Sequence, residues 1–239
     1  MKENMHKAIG IDPASGKECC IWQQDSFEFV SPQHMRKRLE FIMRTSKEKY
    51  VLAWDAPISF CQSSYSDRVI DKVTRKWAKD KTEQSIFKEK AINVLPFSGL
   101  SHWVITCSAL GHPFGESLAL TELPKERMYK KNNLHQIIEV HPAVSMGVMW
   151  ADKKLSTPFP VYKKSKEERK IIVENLNFPR SCIDCDDVLD AYVAHLMAKM
   201  FIKGEAEFLT DPENGSYVLP LGNSFDELSS IARAIRRKE

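Results

Sequence analysis

The chain has 239 residues, 43% of them hydrophobic, with 35 Lys and Arg against 32 Asp and Glu for a formal charge of +3. That is enough apolar sequence for a real core in one large or two small domains, and the near balance of charge excludes a global basic field, so any polyanion site is local. No run approaches the roughly 18 apolar residues of a membrane span, and Met1 to Lys7 lead into a strand without a signal-peptide core; the expectation is a cytoplasmic protein with no membrane partner.

The first predicted element is a short apolar strand over 7–12, ending in Asp12 and followed by a turn at Pro13-Ala14-Ser15-Gly16-Lys17. Residues 18–24 and 26–30 read as two more strands joined tightly around Asp25, giving a meander of three antiparallel strands. Ser31-Pro32 opens a helix to about Ser46, in which Met35, Leu39, Ile42 and Met43 recur at spacings of three and four. The apolar strand 50–55 follows, and a strand reached through a helix is most easily parallel to an earlier one.

Residues 61–135 leave this alternation and read as a helical insertion over the sheet edge, with charged helical stretches over 64–90 and a helix around 101–110. Strand 136–141 resumes the core, and the Lys- and Pro-rich stretch 150–165 reads as a loop. Helices over 166–176, 186–203 and 224–237 complete what is expected to be a single domain over 1–239. The six cysteines are scattered through a chain that needs no stapling, so reduced thiols are the default. Cys182-Ile183-Asp184-Cys185 has the spacing of half a zinc site or a redox pair, with Cys19-Cys20 a poor second half.

Acidic residues recur where apolar strands end or a helix begins: Asp12 in Ala8-Ile9-Gly10-Ile11-Asp12, Asp55 in Trp54-Asp55-Ala56-Pro57, Glu139 in Ile137-Ile138-Glu139-Val140-His141-Pro142, and the pair Asp187-Val188-Leu189-Asp190. A carboxylate directly after a buried strand is costly without compensation, and one cation serving all of them, Mg2+ or Mn2+, supplies it. Residues three apart on a helix share a face, so Asp187 and Asp190 are expected to aim together at the sheet, with Asp186 as an N-cap. Taken singly, each acid also reads as an ordinary turn or helix-start residue.

The element order is that of the ribonuclease H-like α/β fold: a mixed five-stranded sheet, three antiparallel strands plus two parallel, flanked by helices and carrying a helical insertion. In that fold the first and fourth strands are neighbours, which brings Asp12 beside Asp55. The motifs at Gly10-Ile11-Asp12-Pro13-Ala14, Trp54-Asp55-Ala56-Pro57-Ile58, Glu139-Val140-His141-Pro142-Ala143 and Asp187-Val188-Leu189-Asp190-Ala191 resemble the family called domain of unknown function 429, described as predicted nucleases of the ribonuclease H-like superfamily. The resemblance spans roughly residues 8 to 220. At the C-terminal end the family tends to show Glu-Gly, whereas this chain has Asn214-Gly215, so Glu213 receives no role.

The resulting expectation is a metal-dependent nuclease that hydrolyses phosphodiester bonds of a structured DNA or RNA by a two-metal carboxylate mechanism. Asp12 is then the bridging ligand, Asp55 completes one ion and Asp187 or Asp190 the other, with Glu139 a peripheral ligand or water-orienting base. Lys17, Lys163, Lys164 and Arg169 are the expected substrate contacts; a solvated turn lysine is the alternative for Lys17. His141 reads as a metal ligand, a general acid or a packed histidine, and His195 as core or partner-facing. Arg68, Arg75, Lys76 and Lys79 read as a phosphate-contacting face with Trp77 as a stacking surface, or as a solvated face balanced by Asp67, Asp71 and Asp80. Two other functions stay open: a non-catalytic nucleic-acid-binding or scaffold protein of the same fold, and a phosphotransferase of the actin-like superfold.

Overall fold

The structure is a computed structural model that describes residues 6–14, 16–45, 48–58, 68–94, 106, 109, 135–210 and 216–236 and, for the backbone alone, 118–120. Strands β1 (Lys7–Asp12), β2 (Cys19–Gln23) and β3 (Ser26–Val30) form the expected antiparallel meander. Gln24, at φ 53, takes the left-handed position of the tight β2–β3 turn. Helix α1 (Pro32–Thr45) leads to β4 (Tyr50–Trp54), parallel to β1, and β6 (His135–Glu139) is parallel to β4. A three-residue strand β5 (Leu118–Leu120) pairs parallel with β6 and makes a sixth strand at the edge, in the order β3-β2-β1-β4-β6-β5. This is a mixed α/β fold whose predicted five strands are joined by one that three residues were too few to announce.

The rest of the chain is helical apart from one small hairpin. Helix α2 (Val69–Glu83) lies within the predicted insertion, whose expected helix around 101–110 falls outside the described residues except at Thr106 and Ala109. Helix α3 (Pro142–Asp152) corrects the reading of 150–165 as a loop from its first residue, since Trp150 to Asp152 close that helix. A 3-10 turn (Tyr162–Lys164) precedes α4 (Lys166–Leu176), which Ser165 caps by accepting the Glu168 N–H. Helix α5 (Asp186–Lys203) ends at Gly204 in the left-handed region. Its N-cap is Cys185, so Asp186 stands in the first turn rather than capping it. Strands β7 (Ala206–Phe208) and β8 (Val218–Pro220) form a two-stranded ladder, and α6 (Asn223–Arg236) is the last helix described.

Side-chain alternation divides the central strands between two helices. Ile9, Ile11, Leu52, Trp54 and Ile137 pack with Met35, Leu39, Ile42 and Met43 of α1. Ala8, Val51, Ala53, Ile138 and Val140 pack with Ala194, Met197 and Ala198 of α5. On that second face Gly10 leaves room for the helix backbone itself: a Cβ there would meet the Ala191 carbonyl oxygen at 2.0 Å and the His195 nitrogen at 2.1 Å. Gly10→Ala is therefore expected to push α5 off β1 and lower stability by about 1–3 kcal/mol, the range of overpacked cores. A chemical-denaturation midpoint equal to wild type would show that the helix slides without cost.

Candidate metal centre

The central strands deliver their terminal acids to one end of the sheet. Ile11 pairs with Trp54, and the Asp55 N–H donates to the Ile11 carbonyl at 3.0 Å, so Asp12 and Asp55 are neighbours across parallel strands. Helix α5 lies antiparallel over β1, with Ala191 and His195 above Gly10, which places Asp190 over the same strand ends. One oxygen from each of Asp12, Asp55 and Asp190 lies within 4.8 Å of the others. They come from three separate segments.

Two of these carboxyls carry strain that a cation would relieve. Burial, then the charges of Asp190 and Asp55, push Asp12 well above the ordinary carboxylate range. Burial, then Asp190, does the same to Asp55. No hydrogen bond or ion pair reaches either side chain among the described residues. Asp190 is fully buried and differently placed. Its Oδ1 accepts from the Tyr162 hydroxyl at 2.7 Å, and its Oδ2 is bonded by the Lys163 ammonium. Three hard carboxylates, two of them without a hydrogen-bond or ion-pair partner among the described residues, could hold a divalent cation.

The other expected members go elsewhere. Asp187 is outside the group, its Oδ1 held by the Lys17 ammonium at 2.5 Å. Lys17 keeps its charge because that bond and the Asp187 and Asp12 charges outweigh burial, the largest single influence, which would lower its pKa. Glu139 pairs with Trp54 rather than Asp55, so strand alternation turns it to the opposite face from Asp12 and Asp55. There its oxygens accept from Arg68 at 2.8 and 2.9 Å and from the Ile58 N–H at 3.0 Å. Arg68 also binds Asp71 through Nε at 2.9 Å, and the Tyr217 hydroxyl donates to Asp71 at 2.5 Å.

This buried network corrects the reading of Arg68 and Asp71 as part of a solvated or phosphate-contacting face. Trp77 is likewise 1% exposed, its indole N–H donating to Glu227, and offers no stacking surface. Asp67 lies outside the described residues. Arg169 is also a structural group rather than a substrate contact. Its buried guanidinium donates to the carbonyls of Ile183 at 2.8 Å and Tyr162 at 3.0 Å, tying the 3-10 turn to the start of α5. Lys163 and Lys164 are exposed on that turn. Sequence reasoning missed Tyr162 and Tyr217, which no local pattern marks. The Arg68-x-x-Asp71 spacing was a usable sign of an intrahelical pair.

A cleft of about 250 Å³ opens onto this end of the sheet, lined by Asp12, Asp55, Arg68, Asp71, Glu139, His141, Lys163 and Tyr217. His141 stacks edge-on against Tyr217, and its Nδ1 has no hydrogen-bond partner among the described residues. Burial, then the Lys163 charge, lowers its pKa to about 4, so the ring is neutral at pH 7. A larger groove of about 590 Å³ between α2 and α6 lies elsewhere, with Lys81 and Glu227 paired along it at 2.7 Å. Of the cysteines, Cys19, Cys20 and Cys182 are buried and Cys185 half-buried, all as free thiols. The one metal-type group among the described residues is the aspartate triad, so the half-zinc spacing has no counterpart there. No helix among them is long and apolar enough to cross a membrane.

Fold and site together define a mixed α/β protein with a carboxylate centre at the end of its central parallel strands. The family model described as protein of unknown function (DUF429) matches residues 118–214. That stretch contains Glu139, His141, Lys163, Asp187 and Asp190, while the motifs at Asp12 and Asp55 precede it. No curated protein and no solved structure matches the chain.

Three outcomes are expected from these electrostatics. Arg68→Met leaves Glu139 and Asp71 as uncompensated buried charges and should cost about 3–5 kcal/mol in denaturant unfolding. Asp12 and Asp55 bind protons in the native state at a pH where the unfolded chain does not. The metal-free fold is therefore stabilised as pH falls through their raised values, and the gain levels off near the ordinary carboxylate range. Asp55→Asn should raise the metal-free melting temperature at neutral pH, by about 2–4 °C per kcal/mol of repulsion relieved.

Proposed function

We propose that this protein is a divalent-metal-dependent nuclease of the ribonuclease H-like type, hydrolysing phosphodiester bonds of a structured nucleic acid. The observation that carries the reading is the meeting of Asp12, Asp55 and Asp190 within 4.8 Å, from two adjacent parallel strands and a crossing helix. The sheet order, an antiparallel meander continued on its β1 side by parallel β4 and then β6, supports the fold assignment. The match to residues 118–214 supports the family resemblance over that stretch.

Asp12, Asp55 and Asp190 would hold Mg2+ or Mn2+, and the chemistry supplied on binding is water activation at neutral pH and polarisation of a phosphodiester oxygen. The chain's own groups do the rest. Tyr162 fixes the orientation of Asp190 through its hydroxyl. Lys163 and Lys164 stand on the turn beside the cleft as phosphate contacts, and Lys17 stands beside Asp187. The His141 ring lines the cleft in its neutral form, and the burial that lowers its pKa makes it a weak base there. Arg68, clamped on Glu139 and Asp71, keeps the cleft wall in place rather than meeting substrate. A two-ion version requires Asp187 to leave Lys17, since it stands outside the assembled group.

One observation favours the non-catalytic reading, in which the fold serves as a nucleic-acid-binding scaffold: Lys163 and Lys17 already compensate Asp190 and Asp187 within the chain. Cleavage assays separate the two. Purified protein with Mn2+ or Mg2+ is expected to cut at least one of a panel of four-way junctions, flaps, RNA/DNA hybrids and single strands. Asp12→Asn should reduce the rate by about a hundredfold or more, the scale of losing an electrostatic catalytic group. Cleavage that survives Asp12→Asn would sink the assignment, and absence of cleavage together with absence of metal binding would favour the scaffold.

A further inference from the structure

The place where a cation is most needed is already occupied by one that the chain supplies. Lys163 rises from the 3-10 turn Tyr162–Lys164, and its ammonium bonds Asp190 Oδ2 while the neighbouring Tyr162 hydroxyl bonds Oδ1. Lys163 lines the same cleft as Asp12 and Asp55, and its positive charge acts on both. The turn itself does not wander, because the buried Arg169 guanidinium holds the Tyr162 carbonyl on one side and the Ile183 carbonyl on the other. The Lys163 stem differs from its surroundings: the side chain is 53% exposed, against 0% for Asp190.

The two partners of Asp190 are thus unequal. Tyr162 is 1% exposed and has no path out. Lys163 carries its charge on a flexible four-carbon stem that is half exposed, with the ammonium against Asp190 and over the Tyr162 ring. An ion coordinated by Asp190 Oδ2 takes the position of the ammonium, and two positive charges that close repel.

We infer that Lys163 is an exchangeable counter-ion: it closes the Asp12/Asp55/Asp190 site when no divalent cation is bound, and cation binding expels its ammonium towards the mouth of the cleft. The inference rests on the cation site of the proposed function but concerns how that site is held and filled. Lys163 accordingly acts as a positioning residue. It lowers the affinity for the ion, and it keeps three converging carboxylates from driving the metal-free site apart.

The test is a calorimetric titration of Mn2+ into the full chain at pH 8, comparing wild type with Lys163→Met, Lys163→Arg, Lys164→Met and Asp12→Asn. Lys163→Met is expected to bind Mn2+ about tenfold more tightly than wild type. Lys163→Arg keeps a cation on Asp190 and is expected to stay at or below wild-type affinity. Lys164→Met removes the same charge from the same turn, and should change affinity by no more than about twofold through screened electrostatics. Melting temperatures give a second readout that does not depend on activity. Metal-free Lys163→Met should melt below wild type, and saturating Mg2+ should raise it by more than it raises wild type. Equal tightening in Lys163→Met and Lys164→Met would overturn the exchange in favour of general electrostatics. Unchanged or weaker binding in Lys163→Met, with binding abolished in Asp12→Asn, would overturn the exchange while leaving the cation site intact. Absence of Mn2+ binding in wild type and Lys163→Met alike would overturn the cation site, and the exchange with it.

Discussion

The close approach of α5 to β1 at Gly10 is the constraint on which the carboxylate end of the molecule depends. A helix laid on a sheet normally rides on side chains from both. Here the strand offers no side chain at the crossing, and the space a Cβ would take is filled by the Ala191 carbonyl and the His195 backbone. Ala8 and Ala53 keep the neighbouring positions on this face small. The sheet gives up apolar contact area and gains proximity. Asp190 immediately precedes the residue that touches Gly10, and Asp12 lies two residues beyond Gly10 on the same face, so the two carboxylates meet because the two backbones do. The pairing of β1 with β4 then adds Asp55 without any further device.

Once these acids are gathered, the chain compensates them in two physically different ways. Glu139 and Asp71 share Arg68, whose planar guanidinium is well suited to bonding carboxylates through several N–H groups at once. All three are nearly inaccessible. That arrangement is permanent and belongs to the scaffold, joining the start of α2 to the end of β6. Asp187 and Asp190 each have a lysine with an exposed stem, that of Asp190 lying also over the Tyr162 ring. Asp12 and Asp55 have neither, and their raised pKa values record it. The boundary between scaffold and site is therefore drawn between the acids that a guanidinium clamps and those left with a lysine or with no ion pair.

Much of this was legible in the sequence, and the parts that were not share a cause. The strands 7–12 and 50–55 and the helices 166–176 and 186–203 were marked by apolar patterns bounded by Pro, Gly or charged residues, and they stand within a residue of where those patterns put them. Helix α3 was not, because Pro142 to Asp152 is buried nearly all round and so shows no amphipathic period. The hairpin of β7 and β8 has strands of three residues, too short for alternation to register. At the site, Asp12, Asp55 and Asp190 could be read because strand ends and helix starts are local features. The fate of Glu139 turned on one residue of register, and the partners of Arg68 and Lys163 turned on contacts between distant segments. No single stretch of sequence contains those.

Asp187 and Asp190 show how finely helix geometry divides two residues that sequence treats as a pair. They share a face, but three residues of α-helix advance about 4.5 Å along the axis. Since α5 runs antiparallel to β1, that advance carries Asp187 past Asp12 towards the turn that bears Lys17. One carboxylate is thus fully buried among the strand ends, while the other sits one step outward at the rim. Each of the two carboxylates is met by an ammonium. Occupying the inner position requires displacing only Lys163, whereas recruiting Asp187 to a second ion also requires breaking its bond to Lys17. On the proposed reading a cation would fill the inner position first, since Asp12 and Asp55 stand there beside Asp190 with no ion pair of their own among the described residues.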